Sequence, residues 1–472
     1  MRYKVLNLGG KQLRVSPFLS NPGDMIRCVN MDTDIIGAKI KRSGYNTFLD
    51  TANGSAVLDL FSWTKANGTS TYVYRNSGGR LYYWNAGIGT ATSWTVCGGG
   101  TITAGKHIGQ TVLAETLIVD QAGGTCRSST TGTSFADVSL APAGEYLATY
   151  QNRVYIGGTL STLFYSASGS GTDWATSGTS DSSSLTIPGA GKINMVKVVN
   201  DRIVTSKTSG IMHRWDGYSL RTLPTNKGIS SPYSVANIDD FYFYLNRDGI
   251  YAFNGEMPQV LSNAIQSQIY NKTGNGIGGA TFDSAPAIMN RYNYLLSVGS
   301  VSDNLTNEPI TNAVIKYDYQ LNQFTDYSFA NQPTAWTTYK DNTGNIQVIF
   351  GDSSGQCYRL SGTATSDNGT PIETVMEGVL SFDQPEAEKV FKEFWAIASP
   401  GCGAKIQVSA SETFTSSRRK WVDVGEFKDG VAKLSFPASY TGRLLFWRIY
   451  ERSVEAPFTI YGFVIDLDIL KI

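Results

Sequence analysis

Histidine is nearly missing from this sequence: His107 and His213 are the only two in 472 residues. Ser-His-Asp and Cys-His catalysis needs an imidazole beside its nucleophile, and neither histidine lies in a nucleophile elbow. Cysteine is scarce too. Cys28, Cys97, Cys126, Cys357 and Cys402 lie far apart with no C-x-x-C pair. An odd count at wide spacing fits free thiols in a reducing compartment better than a disulfide framework, and it removes the usual structural zinc site. No Gly-x-x-x-x-Gly-Lys-Ser/Thr loop is present for a nucleotide. No catalytic, cofactor-binding or metal-binding residue is therefore nominated, and the expectation is a protein that is not an enzyme and has no cofactor.

Charge is also low. Lys plus Arg number 39, Asp plus Glu 39, and together they make 17 % of the chain. A dedicated nucleic-acid binder carries a basic excess, so zero net charge argues against one. It does not argue against a protein that encloses DNA without gripping it. No uncharged apolar run approaches the ~18 residues of a membrane span, and Met1-Arg-Tyr-Lys4 has no apolar run of a secretory signal behind it.

Aromatic residues and turn formers are abundant. Aromatics are 12 % (26 Tyr, 21 Phe, 9 Trp), and 49 Gly and 15 Pro punctuate the whole length. Disordered chains are poor in aromatics and rich in charge, and helical bundles need Ala, Glu, Lys and Leu. What remains is a large, turn-rich β protein.

One unit repeats. Asp201-Arg-Ile-Val-Thr-Ser-Lys-Thr-Ser-Gly-Ile-Met-His-Arg-Trp-Asp-Gly217 and Asp239-Asp-Phe-Tyr-Phe-Tyr-Leu-Asn-Arg-Asp-Gly-Ile-Tyr-Ala-Phe-Asn-Gly255 share a strand, a turn ending in Gly, Ile at the next position, an aromatic strand and a closing Gly. Weaker copies occupy residues 55–87, 106–132, 145–176, 285–329 and 335–362. Seven segments of about four short strands match the blade of a β-propeller. Trp215-Asp216 stands alone, so this is no WD-repeat protein, and the paired glycines shift place within the repeat, unlike kelch. Trp215, Tyr251 and Phe253 fall on equivalent strands and are expected to pack blades rather than cage a ligand. Ser262–Asn271, with Leu261, Ile265 and Ile269 four apart, predicts a helix between blades.

Beyond a polar linker at 363–371 the alternation lengthens: Glu373–Ser381, Phe391–Ile397, Lys405–Ala410, Leu444–Tyr450 and Phe458–Leu470 read as strands of a β-sandwich. The fold expectation is therefore all-β: a six- or seven-bladed β-propeller with a C-terminal β-sandwich domain. Residues 1–50 are an N-terminal extended segment that completes a blade or runs along a neighbour, 51–362 the propeller and 372–472 the sandwich.

Two weaker motifs remain. Sialidase propellers carry Ser-x-Asp-x-Gly-x-Thr-Trp boxes. The best match, Ser166-Ala-Ser-Gly-Ser-Gly-Thr-Asp-Trp174, puts Ser168 where the Asp belongs and inserts Asp173, so it fails. Ser416-Ser-Arg-Arg-Lys-Trp421 could touch phosphates, but its place between two strand patterns reads as a solvated hairpin tip.

Leu13-Arg-Val-Ser-Pro-Phe-Leu-Ser-Asn-Pro-Gly-Asp24, Arg27-Cys-Val-Asn-Met-Asp32 and Ala38-Lys-Ile-Lys-Arg-Ser-Gly-Tyr45 resemble the opening of bacteriophage tail hub and nozzle proteins, the β-propeller tail proteins of short-tailed phages that stabilise packaged DNA. Asn152-Arg-Val-Tyr-Ile156, Leu163-Phe-Tyr-Ser-Ala167, Asp173-Trp174, Leu185-Thr-Ile187, Lys192-Ile193, Asn200-Asp-Arg-Ile-Val204, Ser206-Lys207 and Gly210-Ile211 resemble the blade signature of the same family. The resemblance covers roughly residues 10–265. It implies a virion structural protein, located in the tail and assembled in the bacterial host cytoplasm. It would self-associate as a ring, six copies, below the portal and adaptor. It would enclose the DNA exit channel without sequence-specific contacts to the double strand, and dock fibres or a tail tip. No residue carries over as catalytic. The channel is expected to be polar and acidic, and Arg443-Leu-Leu-Phe-Trp-Arg448 to lie at an interface. A host-receptor-binding propeller, lectin- or adhesin-like, is the alternative function, and a glycan-cleaving propeller using paired carboxylates the third.

Overall fold

The computed structural model describes residues 1–13, 21–34, 37–49, 52–66, 68, 70–86, 92–99, 102, 105–106, 110–120, 124–158, 160–270, 276–302, 308–411, 419–437, 440–453 and 457–470. Among them almost all regular structure is strand; helix is confined to single turns such as Pro232–Ser234, Ser262–Ile265, Gln266–Ile269 and Gly279–Ser284. The chain is a β-propeller followed by a β-sandwich. Five sheets stand alone with four antiparallel strands each, in chain order 57–96, 110–137, 146–186, 193–222 and 236–260 (blades one to five). Ala287–Asn290, Asn293–Ser302, Pro309–Asp318 and Gln323–Ser328 pair in the same order as blade six. Ala335–Lys340, Ile346–Gly351 and Cys357–Leu360 are the first three strands of blade seven. Six sheets are small, and blade six is the first part of a nine-stranded one.

The fourth strand of blade seven comes from the other end of the chain. Tyr45–Thr47 pairs with Cys357–Leu360, placing Tyr45 opposite Leu360. On the inner side Ala335–Lys340 meets Val57–Thr64 of blade one, where Ser62 Oγ donates to the Thr338 carbonyl and Thr334 Oγ1 to the Val57 carbonyl, both at 2.7 Å. The ring is thus shut by contacts between residues some 280 to 310 apart in sequence.

Each strand is too short to bury its own face, so the core lies between blades. Phe61, Trp63, Tyr72 and Tyr74 of blade one pack with Leu117, Val119 and Phe135 of blade two. Met195, Val204 and Met212 of blade four pack with Tyr244, Tyr251 and Phe253 of blade five. Tyr251 stacks on Tyr244 at 5.8 Å. Trp215 is half-buried against the blade three–blade four cluster. All three aromatics therefore occupy packing positions. Ile265 and Ile269 join the core between blades five and six. The helix expected over Ser262–Asn271 runs as a 3-10 turn at Ser262–Ile265 and a helical turn at Gln266–Ile269; Asn271 lies outside the described residues.

The sandwich strands sit at Thr374–Leu380, Lys389–Ala398, Lys405–Ser411, Leu444–Glu451 and Thr459–Ile469, with Val422–Glu426 and Val431–Ser435 added. One sheet runs Met25–Val29, Thr374–Leu380, Leu444–Glu451, Lys405–Ser411, Val422–Glu426. The facing sheet centres on Thr459–Ile469 and Lys389–Ala398. Trp447, fully buried, meets the Phe463 ring edge-on at 4.8 Å between them. Any Cβ at Gly378 would stand 2.5 Å from the Trp447 ring, so this position has no room for a side chain. Arg443-Leu-Leu-Phe-Trp-Arg448 was expected at an interface. Leu444, Leu445, Phe446 and Trp447 are instead buried within the chain, because their strand is flanked by Thr374–Leu380 and Lys405–Ser411.

Residues 1–50 are woven into both parts. Arg2–Val5 pairs with Thr459–Ile469, and Met31–Thr33 pairs with Lys39–Lys41, which in turn pairs with Thr459–Ile469. Met25–Val29 pairs with Thr374–Leu380 and touches blade six in parallel at Val29–Asp326. That strand fuses blade six and the sandwich into one sheet. Residues 363–371, expected as a linker, carry a small hairpin, Ser366–Asp367 against Thr370–Pro371.

Candidate functional site

His213 is buried on blade four and burial, then Lys207, pushes its imidazole down. Its Nδ1 has no hydrogen-bond partner among the described residues. Lys207 Nζ is spent on the Ser161 hydroxyl and the Ile187 and Pro188 carbonyls. His107 lies outside the described residues. Asp173-Trp174 is a turn lock: Trp174 Nε1 donates to the Gly171 carbonyl at 3.1 Å and the Asp173 carboxylate accepts from Ala175 N. All five cysteines are buried and free. Burial pushes the Cys97, Cys126 and Cys357 thiols up to about 12. Among the described residues no group of three His, Cys, Asp or Glu could hold a metal ion, and no helix is long and apolar enough to cross a membrane.

The basic stretch at 416–421 is only partly solvated. Residues 416–418 lie outside the described residues and Lys420 is exposed. Arg419 turns inward, 3.6 Å from the Glu377 carboxylate and 4.2 Å over the Phe446 ring. The reason is Glu377 itself, wholly buried on Thr374–Leu380. A buried carboxylate needs cations, and it also draws Arg448 to 2.6 Å. Burial still pushes its carboxyl up, with Arg448 and Arg27 opposing.

Three features of the molecule could carry function. The first is the interlock made by the N-terminal segment. Arg42 spends all five guanidinium donors. Nη1 and Nη2 fork onto Asp367 at 2.8 and 2.7 Å, Nε reaches Asn30 at 2.7 Å, and the carbonyls of Ser43 and Ser328 take the rest. Lys11 binds Asp326 at 2.7 Å and Gln268 at 2.9 Å, all of them buried. Lys41 pairs with Glu451 of the sandwich and Lys316 of blade six with Asp32 at 2.6 Å. Such pairs fix one geometry at a cost in desolvation. They hold propeller, segment and sandwich as one body.

The second feature is the outward face of the Thr459–Ile469 sheet. Ile397 and Val431 stand opposite each other there and are each more than half exposed. Tyr461 and Leu6 are exposed nearby, and Trp395 lies next in the sheet under Lys433 and Arg2. Glu393 and Asp466 face each other in the next row. An apolar centre with a mixed charged rim is how recognition surfaces are built.

The third is a cavity of about 270 Å³ on the propeller axis. Asp59, Leu60 and Ser62 of blade one, Gln110 of blade two, Lys197 of blade four, and Trp336, Thr337 and Thr338 of blade seven line it. Lys106 and Tyr233 enter from connections between blades. Lys106 Nζ donates to the Ser284 and Thr334 carbonyls, both 3.0 Å, and lies 4.1 Å over the Tyr233 ring. Desolvation lowers it to about 8 and Asp59 opposes. Lys197 is lowered by the same cause against the same carboxylate. Sequence reading nominated none of these residues. The one available signal was a lysine inside an apolar inner strand, Asn194-Met-Val-Lys-Val198.

No family model matches the chain, and no curated protein matches it significantly. Among solved structures it is similar to BamB from Moraxella catarrhalis, at 12 % identity over 76 % of this chain and 98 % of that one, with a TM-score of 0.41. It is also similar to YCF48 from Cyanidioschyzon merolae, at 12 % identity over 67 % and 98 %, TM-score 0.42. Raptor from Chaetomium thermophilum is similar at 11 % over 68 % of this chain and 30 % of that one, TM-score 0.44. Nothing about function follows from likenesses this distant.

Proposed function

We propose that the protein is a structural component of a bacteriophage tail. On this reading it is not an enzyme. It is one subunit of a six-membered ring below the portal and adaptor, enclosing the DNA exit channel and offering its periphery to fibres or the tail tip. The observation that carries the reading is where the resembling residues sit. Asn30 and the Arg42-Ser-Gly-Tyr45 turn form the joint that shuts the propeller and clamps the sandwich. Gly44 has no room for a Cβ, which would lie 1.9 Å from the Ser366 carbonyl oxygen. A motif with that duty marks an architecture, as expected for a family held together by a shared scaffold rather than a shared reaction. A part that must transmit ejection forces needs domains that cannot swing, and the buried ion pairs supply that. The Ile397–Val431 face, with its charged rim, is the subunit contact on this reading.

Imaging of virions or tails containing the protein tests this. The expected result is a ring on the tail axis, with residues 372–472 between subunits or against a neighbouring ring, and loss of ring incorporation on Ile397→Lys with Val431→Lys. A peripheral trimeric spike with those residues in solvent would refute it and favour the receptor-binding alternative.

A further inference from the structure

We infer that the axial cavity of the propeller is a binding site for a small oxyanion of the phosphate class. The argument begins with donors. An ammonium group has three N–H donors. Lys106 commits two, to the Ser284 and Thr334 carbonyls. Lys197 lines the same cavity; no hydrogen bond or ion pair joins it to a described residue, and Asp59 is the carboxylate that acts on it. Two cations with about four uncommitted donors between them therefore border one cleft. Hydroxyl and amide groups complete the lining: Ser62, Gln110, Tyr233, Thr337 and Thr338.

Charge points the same way. Lys106 and Lys197 have a single carboxylate, Asp59, as the acid that supports both, and Asp59 has a further contact of its own. Two other carboxylates lie toward Tyr233. Glu145 is within 3.8 Å of Lys192. Asp120 is buried and also partnered. Two part-buried ammonium groups that share one supporting carboxylate carry charge that desolvation penalises. An anion with several acceptor oxygens relieves both at once and takes donors that are otherwise idle. About 270 Å³ admits one small ion with its water. Nothing in this rests on the proposed tail function, and neither reading falls with the other.

The test uses the full-length protein in phosphate-free buffer at pH 7. Calorimetry and thermal melting are run with inorganic phosphate, with sulfate and with adenosine monophosphate. Phosphate and sulfate are expected to bind one per chain and to raise the melting temperature with concentration. The nucleotide carries the same phosphate on a larger body and is expected to bind at least tenfold more weakly. Lys197→Gln is the discriminating variant, because Lys197 donates no hydrogen bond to a described residue and Asp59 keeps Lys106 beside it. It should fold with an unchanged or higher melting temperature in the absence of anion and bind phosphate at least tenfold more weakly.

Sulfate, whose charge is constant, gives the pH profile. Its affinity should fall from pH 7 to pH 9 as Lys106, near 8, loses its proton. Asp59, Glu145 and Asp120 are the carboxylates on this side of the site, and over that range Tyr233 and Tyr146, pushed up by burial, stay protonated. No heat and no melting shift with either inorganic anion at millimolar concentration would overturn the inference. So would wild-type affinity in Lys197→Gln, or a nucleotide that binds as well as phosphate.

Discussion

Removing Arg42 should unlock the ring. Its guanidinium and Asp367 are each only 2 % exposed. All five donors are used, and the cation lies 4.7 Å over the Phe329 ring. Arg42→Met keeps most of the aliphatic stem and removes the charge. It leaves the Asp367 carboxylate buried with the Ala330 amide at 3.2 Å as its remaining donor among the described residues. Breaking a buried pair from one side costs about 3–5 kcal/mol, against roughly 0–1 kcal/mol for an exposed pair. The substitution should therefore shift the urea midpoint strongly. Asp367→Leu in the same chain should restore part of the loss, with a coupling of about 0.5–3 kcal/mol. The restoration is partial because the Ser43 and Ser328 carbonyls stay unpaired. Tryptophan fluorescence follows the transition, and hydrogen exchange locates it. The amides pairing Tyr45–Thr47 with Cys357–Leu360 should lose protection first. If Arg42→Met does not accumulate as folded protein, Arg42→Lys keeps the charge but loses the fork, and should cost about 1.5–3 kcal/mol, the worth of a hydrogen bond to a charged group. A loss under about 1 kcal/mol, typical of exposed pairs, or single losses that simply add, would show that the joint does not hold the ring.

Phe253→Ala should cost about 3–5 kcal/mol, since Phe253 is buried between blades four and five, and an unchanged melting temperature would mean that blade packing has been misread. Ellman's reagent at pH 8 should find no fast-reacting thiol in the native protein and five after unfolding, because all five cysteines are buried and three thiols are pushed to about 12. One rapidly labelled native thiol would contradict the buried placement.

The strands were legible because their signal is local. Glu373–Ser381, Lys405–Ala410 and Leu444–Tyr450 were expected from alternation, and strands stand at Thr374–Leu380, Lys405–Ser411 and Leu444–Glu451. The blades were legible because each repeats a turn and an aromatic strand. Val422–Glu426 and Val431–Ser435 were not, since charged and glycine positions interrupt their pattern. What joins the parts was illegible for a different reason. Alternation tells which face of a strand is apolar, and says nothing of which distant strand lies beside it. Tyr45–Thr47 looks like any short turn-flanked strand until Cys357–Leu360 is found next to it.

The same limit applies to the buried cations. Lys39-Ile-Lys-Arg42 puts three cations in four residues, and long charged side chains are almost never fully buried unless paired. Here Lys39, Lys41 and Arg42 are all buried, and two of the partners, Asp367 and Glu451, are 325 and 410 residues away. Single-sequence reading has no term for a pair at that separation. The burial has a physical logic nonetheless. A strand slipped by one residue turns its whole inward set to the other face, and an apolar strand tolerates such a slip far better than one carrying cations that each need a specific carboxylate. The N-terminal segment has three short strands, each three residues long, at Met31–Thr33, Lys39–Lys41 and Tyr45–Thr47. Backbone pairing of that length holds register weakly. The ion pairs at Lys41 and Arg42 supply the register that the strands are too short to set, which is why the least regular part of the chain can act as the joint between its two most regular ones.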